Sequence, residues 1–141
     1  MVIVKGLANE KIALEKIGQI WDQADVVVSW NGLMYDVPFL NARRMRHGLE
    51  PLPKKLHIDL LWHHKKLRTL GHRLDGASVD LCCKTKKFNV PAEFWQYAAD
   101  NRHPQAKQAL DDIVKHCEFD VLLTEEMLGK LKPLICQIIK R

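Results

Sequence analysis

Four residues stand out for chemistry by their type and spacing. Asp36 follows the stretch DVVVSWNGLMY, in which a β-branched run stops at Asn31-Gly32. A carboxylate there has two readings: it caps a helix that begins beside it, or it is held at a strand end to grip a metal ion. Near the other end of the chain, IVKHCEFDVLLTEEMLGKL carries His116 and Asp120 four residues apart, with Asp112 four residues earlier. On a helix these three share one face, beside the apolar stripe, where side chains can face a cleft. The same spacing is also that of an ordinary i,i+4 pair, worth about a few tenths of a kcal/mol.

The elements that must position these groups follow from the apolar pattern. MVIVK (1–5) reads as a strand, and Asn9 to Gln23 as a helix with Asn9 at its cap. The continuous valines of DVVVSW suit a strand buried on both faces, in a sheet covered by helices. Asn-Gly ends that strand. Asp36 can then cap a helix that tolerates Pro38 in its first turn and closes at Gly48. HIDLL (57–61) reads as a short strand running into a helix through His63-His64. Asp75 reads as the cap of a short helix ending near Cys82-Cys83, KTKKFNVP as a loop, and Pro91 to Ala99 as a short aromatic-rich helix. Apolar residues at 106, 110, 113, 117, 121, 128 and 131 mark the strongest helical segment, Pro104 to Leu131, as one helix or two. Alternating strands and helices followed by helices predict an α/β fold.

Composition bounds the rest. With 141 residues, 47% hydrophobic and 28% charged, the chain fits one globular domain over 1–141. No apolar stretch approaches the roughly 20 residues of a membrane helix, and nothing at the N-terminus resembles a signal peptide, so a cytoplasmic protein is expected. The four cysteines show neither a disulfide framework nor a Cys-x-x-Cys pair, and are expected to be reduced and mostly buried. Charge is unevenly placed: from Arg43 to Lys87, twelve Lys or Arg face four acids, although the whole chain carries only +5. A basic half of this kind suits a polyanion, with nucleic acid the first expectation.

Two stretches resemble a known family. NGLMYDVPFLNARRMRHGL resembles the second motif of DEDD-type 3′–5′ exonucleases, which share the ribonuclease H-like fold. HCEFDVLLTEEMLGKL resembles their third motif, where a Tyr or His precedes an Asp. The likeness is nearest to stand-alone ribonuclease H-like proteins of the YprB type and extends to proofreading domains of family A DNA polymerases. It covers most of residues 24–132. The resemblance implies hydrolysis of phosphodiesters at a single-stranded 3′ end of DNA or RNA, assisted by two Mg²⁺ or Mn²⁺ ions that carboxylates hold. Asp36 and Asp120 are then metal ligands and catalytic groups. His116 stands where the family's Tyr or His orients or deprotonates the attacking water. Members with His usually space it five residues before the Asp, and those with a spacing of four usually carry Tyr; His116 joins the Tyr spacing to an imidazole.

The same resemblance exposes a departure. The family's first motif, Asp-x-Glu on the first strand, supplies two of four metal-binding carboxylates, and no Asp-x-Glu occurs in this sequence. In the family's strand order 3-2-1-4-5, strands 1 and 2 separate the counterparts of MVIVK and DVVVSW, so an N-terminally incomplete sheet is expected. Three arrangements answer this: the two strands pair directly, two copies associate through their edges, or a separate chain supplies the missing strands. Two functions follow. One is a metal-dependent exonuclease that needs a partner to complete the first motif. The other is a catalytically inactive, truncated domain acting as a nucleic-acid-binding or assembly module. An unrelated α/β interaction module is a third.

Phosphate contact is expected from Asn31, Arg43, Arg44, Arg46, Lys65, Lys66 and Arg68, with the helix dipole as the alternative role of the three Arg43–Arg46 guanidiniums. Asp59 reads as a helix cap rather than a ligand. His63 and His64 point in different directions and read as solvated or phosphate-facing. Phe94, Trp95 and Tyr97 either stack on bases or pack their helix onto the core.

Overall fold

Apolar runs broken at Asn, Gly and Pro fold into a mixed α/β chain with two strands and six α-helices among the described residues. The computed structural model describes residues 9–69 and 71–139, with side chains described to residue 135. The strand expected at MVIVK lies outside the described residues. Two compact units are present, Met1–Trp62 and His63–Arg141.

The first unit holds α1 (Glu10–Gln23), β1 (Val26–Ser29), α2 (Asp36–Arg46), β2 (Leu56–Asp59) and the start of α3 (Leu60–His64). β1 and β2 pair in parallel, with Val26 opposite Leu56 and Ser29 opposite Asp59. A parallel pair needs a crossover, and α2 supplies it. The C-terminal ends of both strands therefore lie side by side, where open α/β sheets carry their functional loops. The valine run is only half-buried, and Val26 is 40% exposed. This corrects the expectation of burial on both faces; among the described residues the sheet has two strands.

α1 docks on α2 through polar contacts as much as apolar ones. Arg43 pairs with Glu10, which also meets His47 Nε2 at 2.7 Å. Arg44 donates to the carbonyls of Leu14 (2.6 Å) and Glu50 (2.7 Å), and Gly18 leaves room for its guanidinium. α2 ends as expected at Gly48 (φ +68°), where Leu49 N–H returns to Arg44 O and Gly48 N–H to Met45 O, the pattern of a Schellman cap.

The second unit begins within α3 and adds a 3₁₀ turn (Lys65–Leu67), α4 (Leu74–Asp80), α5 (Ala92–Ala99) and α6 (Ala106–Ile139). α6 is one helix of 34 residues, longer than its apolar stripe suggested and carrying Pro133 inside it. α4 and α5 pack on it, and Ala109, Leu123, Met127 and Leu131 are its buried line. Glu126 accepts the backbone N–H groups of Lys84 and Thr85, and these bonds hold its carboxyl at about 2. A basic loop is thereby tied to the long helix.

Two expectations change here. Cys82 and Cys117 are exposed and Cys83 half-buried; all three are free thiols, but they are not mostly buried. His64 is fully buried instead of solvated, with Nε2 3.2 Å from Thr69 Oγ1 and 3.8 Å from Asp80 Oδ2. Among the described residues no helix is long and apolar enough to cross a membrane.

Candidate functional site

In the first unit, the residues worth building from sit at the two strand ends. Asp59 is buried and closes β2. Its Oδ1 accepts the N–H groups of Asn31 (2.8 Å) and Leu61 (3.2 Å), and its Oδ2 that of Leu33 (3.2 Å). The expected cap is present at Leu61, and the same carboxylate also fixes the Asn31–Tyr35 turn. Asn31 occupies that turn with φ +62°, a left-handed conformation that Asn tolerates better than most residues.

Asp36 is the first residue of α2 and is exposed. It does not cap the helix: Tyr35 stands at the cap position, with no side-chain cap bond. The turn has taken over that task, since Tyr35 N–H bonds Asn31 O, Val37 N–H bonds Gly32 O and Phe39 N–H bonds Tyr35 O. The Asp36 carboxylate instead lies against Gly32, where an added Cβ would be 3.3 Å from Oδ2. Beside it, Ser29 Oγ and His57 Nε2 are 2.8 Å apart. Burial pushes the His57 imidazole below its ordinary value, while Asp59 and Asp36 pull the other way. The Ser29–His57 pair was not read from the sequence; its signal was the register of two strands 28 residues apart in the chain.

In the second unit, α6 brings His116 and Asp120 together as the spacing predicted. His116 donates its Nδ1–H to the carbonyl of Phe88, and its Nε2 lies 3.5 Å from Asp120 Oδ2. Lys87 Nζ is 3.9 Å from the same oxygen. Asp120 Oδ1 is buried with no hydrogen-bond partner among the described residues. Trp95 of α5 stands edge-on to His116, 6.1 Å between centroids. Asp112, on the same line of the helix, accepts a bond from Gln108 at 3.1 Å. In the sequence Lys87 and Phe88 belong to the loop KTKKFNVP, which carries no signal for the anchor of His116.

The basic residues divide by exposure. Arg43 and Arg44 are half-buried in the α1–α2 contact, whereas Arg46, Lys65, Lys66 and Arg68 are exposed. Among the described residues no three His, Cys, Asp or Glu stand together as a ready cation site. An unsatisfied, buried carboxylate oxygen is nevertheless what a hard cation satisfies, so Asp120 fits the role of a single ligand.

The sequence profile of the RNase_H superfamily matches residues 2–132. The chain belongs to this superfamily. Membership in the RNase_H superfamily bears out the ribonuclease H-like fold expected from the two motifs. Among curated proteins, one named DNA polymerase III PolC-type, from Ureaplasma parvum serovar 3 (strain ATCC 700970), is 38% identical over 89 residues. That match covers 62% of this chain and 6% of the polymerase, so the chain spans a small fraction of this relative's length. No solved structure matches the chain.

Proposed function

We propose that the chain is a metal-dependent 3′–5′ exonuclease-like phosphodiesterase acting on single-stranded DNA or RNA, with residues 1–141 as one ribonuclease H-like domain. The observation that carries this reading is Asp120: one oxygen buried without a partner among the described residues, the other facing an anchored imidazole. In this reading Asp36 and Asp120 are each ligands for Mg²⁺ or Mn²⁺. Such an ion, when bound, polarises the phosphodiester and acidifies water. His116 holds its Nδ1–H on Phe88, so Nε2 is the atom left to take up a proton from water. Exposed Arg46, Lys66 and Arg68, with Lys65, follow the phosphate backbone. The two remaining carboxylates of a two-metal site come from outside residues 1–141, and the protein works in the cytoplasm.

The test is incubation of the purified chain with 5′-labelled single-stranded DNA and RNA in Mg²⁺ or Mn²⁺. The expected result is a ladder that shortens from the 3′ end and is absent with Asp120→Asn. Intact substrates under all four conditions would remove the catalytic claim for this chain by itself.

A second reading, a catalytically inactive nucleic-acid-binding module, is favoured by Lys87, whose ammonium competes with a cation for Asp120 Oδ2. It predicts salt-sensitive binding that survives Asp120→Ala. Binding that is equal at low and high salt counts against it.

A further inference from the structure

We propose that Ser29 and His57 are positioning residues for the carboxylate of Asp36, acting through the backbone of Gly32. The proposal rests on the reading of Asp36 as a metal ligand and adds what fixes it in place.

The register explains why these two side chains meet. Ser29 is opposite Asp59 in the parallel pair, and His57 lies two residues before Asp59, on the same face of the strand. Ser29 and His57 are therefore diagonal neighbours, 2.8 Å apart at Oγ and Nε2. Ser29 Oγ also accepts the N–H of Gly32 at 3.1 Å. A hydroxyl has one proton and two lone pairs, so it can serve both partners at once. With Asp59 holding the amides of Asn31 and Leu33, three consecutive N–H groups, 31 to 33, are gripped by side chains from the strand ends.

Gly32 is the thin wall between that grip and Asp36. It is buried, and a Cβ added there would lie 2.5 Å from Ser29 Oγ, 2.6 Å from Ser29 Cβ and 3.3 Å from Asp36 Oδ2. Only a residue without a side chain lets the hydroxyl and the carboxylate approach the same backbone atom from different directions. Gly32 O also accepts Val37 N–H at 2.9 Å, which couples any shift of Gly32 to the first turn of α2. A Ser29 hydroxyl that lost His57 could rotate away from Gly32 N–H. The buried amide would then lose its acceptor, and the base under Asp36 would loosen.

A purely structural role for the pair would cost stability and leave the surroundings of Asp36 as they are. The two are separated by carbon-13 NMR of the Asp36 carboxyl, together with hydrogen exchange at the Gly32 amide. Ser29→Ala and His57→Phe are compared with His57→Gln, which keeps a hydrogen-bonding atom near the place of Nε2. The first two variants are expected to shift the Asp36 resonance and to speed Gly32 exchange about tenfold, while His57→Gln stays close to the native chain. Should Ser29→Ala fail to fold, His57→Phe, which retains the ring volume, decides alone. An Asp36 resonance that is native in the folded variants overturns the proposal. Mn²⁺ titration of the native chain tests the other reading separately: an Asp36 signal that Mn²⁺ does not broaden overturns its assignment as a ligand, while the carboxyl shift still decides the positioning role.

Discussion

His116 Nε2 faces Asp120 Oδ2 at 3.5 Å, one turn along α6, while the opposite ring nitrogen is committed to the carbonyl of Phe88. The ring cannot rotate without losing that bond, so its proton-accepting atom stays beside the carboxylate. His116→Gln is expected to lower the turnover of single-stranded substrate by about 10²–10⁴-fold, the usual worth of a positioned general base. Initial rates at saturating Mn²⁺ check this, and an unchanged rate would take His116 out of the chemistry.

Asp120→Asn is expected to remove metal-dependent cleavage without unfolding the chain. The contacts of its Oδ2 with His116 and Lys87 are long and partly exposed to solvent, so replacing the charge with an amide is expected to cost about 1 kcal/mol. Thermal denaturation beside the cleavage assay checks both halves. A large loss of stability would mean that Asp120 serves the fold instead.

Asp59 and Asp36 should behave as opposites. Asp59→Ala removes the acceptor of the Asn31, Leu33 and Leu61 amides, the last of them buried, and is expected to cost about 1–3 kcal/mol. Asp36→Ala, at an exposed position, should stay within about 0.5 kcal/mol of native stability. Urea denaturation of the two variants makes the comparison, with cleavage expected to be lost in both.

Acid should weaken the first unit through Glu10. The hydrogen bond from Arg43, then that of His47, holds this carboxyl at about 2 against an ordinary 4.5. Because the folded value is the lower one, the stabilisation is complete above pH 4.5 and is lost as pH falls towards 2. Glu10→Gln should lower stability at neutral pH and flatten that acid limb. Denaturation midpoints between pH 2 and 6 test it, and an unchanged acid limb refutes it.

Nucleic-acid affinity should fall with salt, and the slope of log K against log salt should shrink by roughly 0.7 for each phosphate contact removed from a single strand. Lys66→Ala and Arg68→Ala are expected to do this, whereas Arg44→Ala should chiefly loosen α1 on α2, since its guanidinium is spent on Leu14 and Glu50. Filter binding at several salt concentrations distinguishes them.

Local patterns carried much of this fold into view. DVVVS, HIDLL and the stripe of α6 were legible because each is a run or a repeat, and Gly48 marked a helix end through its backbone freedom. His116 and Asp120 were legible as a pair because i,i+4 geometry is local. The Asp36 cap failed because its competitors were backbone carbonyls of the preceding turn, which no composition signals. Ser29–His57, Asp59–Asn31 and His116–Phe88 join residues 28 apart, so they depend on strand register and loop docking. The burial of His64 had the same cause: its neighbours Thr69, His72 and Asp80 come from the turns that follow.

Pro133 has a further consequence for α6. Lacking an N–H, it gives nothing to the carbonyl of Gly129 four residues back, and Gly129 itself is exposed, with open space where a Cβ would stand. The helical ladder thus lacks one rung between 129 and 133, more than two turns beyond Asp120. Opening of the helix end as far as Pro133 therefore breaks no hydrogen bond donated by residue 133, and His116 and Asp120 lie on the other side of that gap.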